Sequence, residues 1–215
     1  MDRLLFFDIE THRVKNWDEL TPLLQKAFRE HVYEDNSEIT IEECYQKKAG
    51  LLAEFSQVTC ISLGYEQNEE FKLNTIYGVD EVALLNQLSK ILNQFEKNWY
   101  VLAGHNIIGF DCPYLNKRYI INGIRIPKLI NSFGKKPWEI TNVDTMLMWK
   151  FSGWSNTSLE VICSALGIES KSYDISGKTM YKYDIKDMDW EELKKYCEED
   201  VKATYEIYKR IKKFL

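Results

Sequence analysis

Proline and glycine are scarce in this sequence, 4 and 10 of 215 residues. That excludes a collagen-like chain and a long Pro/Gly-rich disordered one. Long hydrophobic runs are missing too: no stretch approaches the ~20 apolar residues of a membrane helix. The opening Met1-Asp2-Arg3-Leu4-Leu5-Phe6-Phe7-Asp8 holds too short an apolar run for a signal peptide, and acids follow at once. The expectation is a cytoplasmic protein with no membrane partner, its mature form beginning at Met1. Cysteine occurs five times, at 44, 60, 112, 163 and 197, an odd count with no CxxC pair. These read as reduced thiols filling the core. The three histidines do not pair with them at zinc-ligand spacing.

A strong positive charge is also absent. The net charge is −5 and the isoelectric point about 5.4, which argues against general adhesion to nucleic acid. The charge is uneven, however. Residues 112–186 carry 11 Lys+Arg against 6 Asp+Glu, whereas the remainder carries 17 against 27. A basic middle can meet phosphates while the whole stays acidic. Taken alone, it reads as an ordinary solvated face. The length suits one domain with a sizeable core better than two small ones.

Several elements are legible along the chain. Residues 3–9 read as a buried strand. Residues 17–54, with Leu20, Leu23, Leu24, Ala27 and Phe28 and later Ile41, Cys44 and Tyr45, predict two or three surface helices. Gln57–Tyr65 and Phe71–Tyr77 form a predicted hairpin. Asp80 caps a helix whose stripe is Leu84, Leu85, Leu88, Ile91, Leu92 and Phe95. Tyr100–Ala103 and Ile140–Val143 are short strands, and a helix runs from Asp111 to Asn122-Gly123. Thr157 and Glu160 suggest a capping box, with Gly167 closing that helix. Trp190–Leu215 is a long amphipathic helix with Leu193, Cys197, Val201, Tyr205, Tyr208 and Ile211 inward. Strands alternating with helices predict an α/β domain around one mixed sheet.

Three acidic signals stand out. Asp8 and Glu10 lie two apart at a strand end, so their carboxylates share one face while Phe7 and Ile9 point to the other. Two such acids repel unless a cation sits between them. Asp111 closes Asn106-Ile107-Ile108-Gly109-Phe110-Asp111 and, alone, is an ordinary helix start. Tyr196 and Asp200 lie one turn apart on the last helix, which places an acid in an apolar stripe. A buried acid needs a partner.

Taken together and in this order, Phe7-Asp8-Ile9-Glu10-Thr11, N-x-x-x-F-D and Y-x-x-x-D resemble the three exonuclease motifs of the DEDD, or DnaQ-like, superfamily of 3′–5′ exonucleases. The tyrosine form is that of its DEDDy branch. The Asn106–Asp111 motif is similar to that of the proofreading domain of family B DNA polymerases, here in stand-alone form. The resemblance spans nearly the whole chain, including Ser158-Leu159 and Leu166-Gly167-Ile168.

The resemblance implies an RNase H-like fold: a five-stranded mixed sheet, its second strand antiparallel, with helices on both faces. It implies two divalent cations, Mg²⁺ or Mn²⁺, bridged by Asp8, with Glu10 and Asp200 completing the first and Asp111 serving the second. Such hard cations prefer oxygen ligands. Tyr196 would hold the attacking water. Thr11, Asn106 and Phe110 match positions that meet the 3′-terminal nucleotides, and Lys178 lies where family B relatives often place a phosphate-contacting lysine. The implied activity is release of 5′-mononucleotides from 3′ ends of single-stranded DNA. An exoribonuclease remains open, as does a non-catalytic nucleic-acid-binding module, although all four acids and Tyr196 are present. The expected organisation is a single domain, 1–215, with a helical insertion at about 14–55 of unassigned role. Asp144 ends another strand and reads as a turn residue or a supporting acid. A polymerase or other protein partner is not identifiable.

Overall fold

The computed structural model describes residues 3–33, 38–169 and 184–215. Five strands make one sheet: β1 (Leu4–Arg13), β2 (Ser56–Gln67), β3 (Glu70–Tyr77), β4 (Val101–Gly104) and β5 (Val143–Asp144). Their order is β3-β2-β1-β4-β5, so β1 is central. β2 runs antiparallel to β1, β4 runs parallel to β1, and β5 runs parallel to β4. The helices are α1 (Pro22–His31), α2 (Ile41–Lys48), α3 (Glu81–Lys97), α4 (Asp111–Ile121), α5 (Thr145–Lys150), α6 (Leu159–Leu166) and α7 (Trp190–Lys212).

The alternation of β1 distributes the sheet's two faces. Leu5, Phe7 and Ile9 join Leu85, Leu88 and Leu92 of α3 and Leu115 and Tyr119 of α4 in the largest core cluster. Leu4 and Phe6 lie on the opposite face, packed with Val201, Tyr205 and Tyr208 of α7. Helices therefore cover both faces, and Asp8 and Glu10 fall on the side that α7 covers. At a general rate of about 25 cal/mol per Å², burying these side chains is the main force that fixes the two layers.

Between α3 and α4 lies a buried ion pair. Arg118 Nε donates to Glu81 Oε1 at 2.8 Å, and a second guanidinium nitrogen donates to Oε2. The Val58 amide and the Asn122 side-chain amide fill the remaining carboxylate positions at 2.8 Å each. This full set of donors offsets the desolvation of the charges.

The segment between β1 and β2 is not simply superficial. Phe28 and Tyr45 are fully buried, in a cluster with Leu20, Ile41, Cys44 and Ala49. Phe28, Tyr45 and Phe55 meet edge-on with centroids 5.2 to 6.0 Å apart, the geometry that aromatic quadrupoles favour. Thr40 and Glu43 form a reciprocal capping box that starts α2.

Other boundaries differ from expectation. β5 has two residues, because only Val143 and Asp144 find partners on β4. The cap of α6 is Ser158, not Thr157, and it makes no side-chain cap hydrogen bond. Thr157 instead has its carbonyl 3.1 Å from His105 Nε2. Gly167 ends α6 at φ 64°, as expected of a left-handed cap. No helix of the described residues is long and apolar enough to cross a membrane.

Candidate active site

β1 delivers the first two acids. Asp8 pairs with Ser62 and Glu10 with Cys60 across β2, and the register shifts between Glu10 and Thr11. Such irregularities re-aim side chains at strand ends. Thr59 Oγ1 donates to the Glu10 carbonyl at 3.2 Å, fixing the backbone there. Glu10 is buried and Asp8 half-buried.

α7 brings Cys197 against them. Ligand atoms of Asp8, Glu10 and Cys197 lie within 4.8 Å of one another. The Cys197 thiol is 3.5 Å from the Asp8 carboxylate and 3.5 Å from its carbonyl. Burial, the neighbouring Cys60 thiol and the charges of Asp8 and Glu10 push the Cys197 thiol well above its ordinary pKa. Without a metal it donates to Asp8, and the carboxylates of Asp8 and Glu10 offer the oxygen donors that hard divalent cations take.

The third acid arrives from α4. Asp111 is the first residue of that helix and is almost completely buried. Its Oδ1 accepts from the Ile9 amide at 3.2 Å, which ties it to the strand between Asp8 and Glu10. Burial raises the pKa of its carboxyl to about 7; hydrogen bonds from its own backbone and Ile9 oppose this, and the charges of Asp144 and Asp200 add to it. Asp200 is half-buried on α7, and Tyr196, one turn earlier, is buried. β1 continues to Arg13, so Asp8 and Glu10 lie within the strand rather than at its end, just past Phe6 where its pairing with β4 stops; there they meet Asp111 of α4, and α7 packs against them through Cys197.

The loop before α4 is held by Asp144. One carboxylate oxygen accepts from the Asn106 amide at 2.9 Å and the Met146 amide at 3.0 Å, and the other accepts from the Ile108 amide at 3.1 Å. Asp144 therefore caps α5 and clamps the Asn106–Asp111 loop at once. Asn106 sits in the left-handed region at φ 62°. Gly104 enters the loop so closely that a Cβ there would stand 1.9 Å from the Ile107 side chain and 2.9 Å from the Phe7 carbonyl. His105 braces the loop's start, 3.0 Å from Thr145 Oγ1, and burial lowers its pKa. By sequence alone Asp144 reads as a turn residue or a supporting acid; its relation to Asn106 is tertiary and carries no local signal.

This fold has known relatives. The model of the family described as predicted 3′–5′ exonucleases related to the exonuclease domain of PolB matches residues 51–215. The chain belongs to that family. Among curated proteins none matches it. Among solved structures, the family B DNA polymerase from the hyperthermophilic archaeon Pyrobaculum calidifontis is similar across 100% of this chain, with TM-score 0.61 and 17% identity. The chain spans 25% of that polymerase. At such identity the likeness concerns the fold: RNase H-like, as the sequence motifs imply.

The family match opens at residue 51, so β1 with Asp8 and Glu10, and α1 and α2, precede it. In this member of the PolB-related exonucleases, the remaining candidate residues are placed as follows. Thr11 Oγ1 donates to the Gly50 carbonyl at 2.6 Å. Phe110 is half-buried, its ring centroid 5.4 Å from that of Tyr114, and it lines a cleft of about 150 Å³ with Glu10 and Thr11. Asn106 turns its side chain toward Gly109, where its Oδ1 leaves no room for a Cβ. Lys178 lies outside the described residues.

Proposed function

We propose that this chain is a metal-dependent 3′–5′ exonuclease that acts on single-stranded DNA ends and releases 5′-mononucleotides. The observation that carries the reading is the meeting of acids from two elements, Asp8 and Glu10 on β1 and Asp111 hydrogen-bonded to the Ile9 amide between them, with α7, which carries Tyr196 and Asp200, packed against them through Cys197. Membership of a family of predicted 3′–5′ exonucleases supports it. Uncompensated, such carboxylates repel, and a buried carboxylate resists ionisation. Asp8, Glu10, Asp111 and Asp200 would hold two divalent cations, Mg²⁺ or Mn²⁺. When bound, these ions supply charge stabilisation to the attacking and leaving oxygens of the phosphodiester.

The chain's own groups do the rest. Tyr196 orients the water that attacks phosphorus, in line with the departing 3′ oxygen. Phe110 offers a ring face to a base, and the clamped Asn106 loop positions it. Water adds at phosphorus, the bond to the penultimate 3′ oxygen breaks, and that oxygen takes up a proton. The test is purified protein with Mg²⁺ or Mn²⁺ on 5′-labelled DNA and RNA strands of matched sequence. A ladder that shortens from the 3′ end, faster on DNA, is expected. Intact strands with both metals sink the reading, and a faster RNA ladder transfers it to an exoribonuclease.

A further inference from the structure

The helical segment between β1 and β2 ends against the acids. The cleft of about 150 Å³ is lined by Glu10, Thr11 and Phe110 together with Lys47, Gly50 and Leu51 from the end of this segment. Lys47 lies in the last turn of α2, and Leu51 closes the short turn after it. Leu51 is 60% exposed and Lys47 is exposed. Both therefore stay open to solvent beside a site otherwise rich in negative charge.

The wall that this end supplies is held rigidly. Thr11, next to Glu10, donates its hydroxyl to the Gly50 carbonyl at 2.6 Å. The Val14 amide reaches the Phe55 carbonyl at 3.3 Å, and the Tyr45 hydroxyl reaches the Lys15 carbonyl at 3.1 Å. Behind these ties stands the packed Phe28–Tyr45–Phe55 cluster, so the wall rests on its own core. Lys47 and Arg13 bring positive charge to this cleft. Arg13 is committed to Asp184 at 2.6 Å. A larger cavity adjoins through Arg13 and Gln46, but Asp18, Glu42, Asp184 and Asp187 line it. A polyanion will not follow that acidic path.

We propose that the end of α2 and the following turn form a binding surface for single-stranded nucleic acid, with Lys47 against a backbone phosphate of the strand whose 3′ end enters beside Glu10. A cation in one cleft with an aromatic ring, here Lys47 with Phe110, is the combination that holds single strands without reading sequence. The inference rests on the proposed function, because that reading places the 3′ end in this cleft. It gives the segment that precedes the family match a role in substrate capture.

The test is fluorescence anisotropy with a 5′-fluorescein single-stranded DNA 12-mer, Ca²⁺ replacing Mg²⁺, across a salt series. Lys47→Glu should weaken binding roughly tenfold or more, and Lys47→Ala roughly fivefold, as for one exposed charge pair. Each should also make the salt dependence shallower by about 0.7 for each phosphate that is no longer neutralised. Lys26→Glu makes the same charge change on α1, away from the cleft, and should leave affinity unchanged. Melting curves should coincide, since Lys47 is exposed. Unchanged affinity in both Lys47 variants overturns the inference, as does an equal weakening in Lys26→Glu. If the wild type cleaves strands and Lys47→Glu binds like it, only the inference falls. If Lys47→Glu binds weakly but the wild type never cleaves, the surface stands and the nuclease reading falls. Absence of binding by the wild type removes both.

Discussion

The acids and the α1–α2 segment are built on different principles. Each acid sits on an element that the sheet's main core already fixes: β1 in the centre, α4 and α7 packed on its two faces. The α1–α2 segment has a separate aromatic core, joined to the sheet by a few polar ties such as Thr11 to Gly50. Charge in the first region is concentrated and partly or wholly buried; in the second it is spread over exposed helix faces. The acids are thus carried by elements of the sheet's main core, and the other side of the cleft by a segment with a core of its own, tied back to β1 through Thr11.

The largest expected effect lies on the first side of this comparison. Asp8→Ala should lower nuclease turnover roughly a thousandfold or more, as removal of one member of a catalytic unit does. Its fold should persist, because one source of carboxylate repulsion is gone. A strand-degradation time course beside a melting curve in EDTA separates these effects; near wild-type turnover would remove Asp8 from the site.

On the second side, Phe28→Ala should destabilise the α1–α2 segment by about 3–5 kcal/mol, the usual cost of emptying a buried aromatic site. Hydrogen exchange should show amides of α1 and α2 losing protection while β1 and β2 keep theirs. Equal deprotection throughout would mean that the two regions form one cooperative unit.

Tyr196→Phe sharpens the contrast between chemistry and packing. The ring still fills its place on α7, and only the hydroxyl is removed. Single-turnover rates should fall roughly tenfold to a hundredfold, with affinity for a single strand in Ca²⁺ nearly unchanged. Equal rates would leave Tyr196 as a core residue.

The smallest effect is on stability against pH. Burial raises the Asp111 pKa to about 7 in the folded, metal-free protein, above the ~3.9 of an unfolded aspartate. The native state therefore binds more protons than the unfolded state between these values. Stability contributed by protonated Asp111 is full below about pH 4 and is lost as pH rises toward 7. Asp111→Asn should flatten that decline in EDTA, by at most a few kcal/mol. Titration melts from about pH 4 to 8 check it. An equally steep decline in the variant would show that other groups govern the slope.

Much of the sheet and the acid positions could be read beforehand, because both follow local rules. Period 2 put Asp8 and Glu10 together, Asp80 capped α3 as expected through the Ala83 amide at 3.0 Å, and the stripe of α7 named Leu193, Cys197, Val201 and Ile211, half of its buried residues. What escaped was tertiary or short. Asp144 gathers amides from residues 106, 108 and 146, which no window of sequence brings together. α5 has six residues, too few for a periodic signal, and was not expected. Ile207 is buried on α7 because α6 packs there through Ile162 and Cys163, while the half-buried Tyr205 and Tyr208 lie over Phe6. The 17–54 helices looked superficial because Phe28 and Tyr45, the residues that bury them, lie 17 apart in sequence.

The placement of β1 has a consequence for how the molecule is made. Phe6 pairs with Ala103 on β4, and its ring is covered by Tyr205 and Tyr208 at centroid distances of 5.4 and 5.6 Å. β1 must therefore wait for α7, which is synthesised long after it. Contacts that distant in sequence slow folding, since loop-closure entropy precedes any gain. A chain emerging from the ribosome carries Asp8 and Glu10 early, but without Asp111 and Asp200 it has nothing to complete the cluster. A chain interrupted before Trp190 leaves Leu4 and Phe6 uncovered as a sticky face.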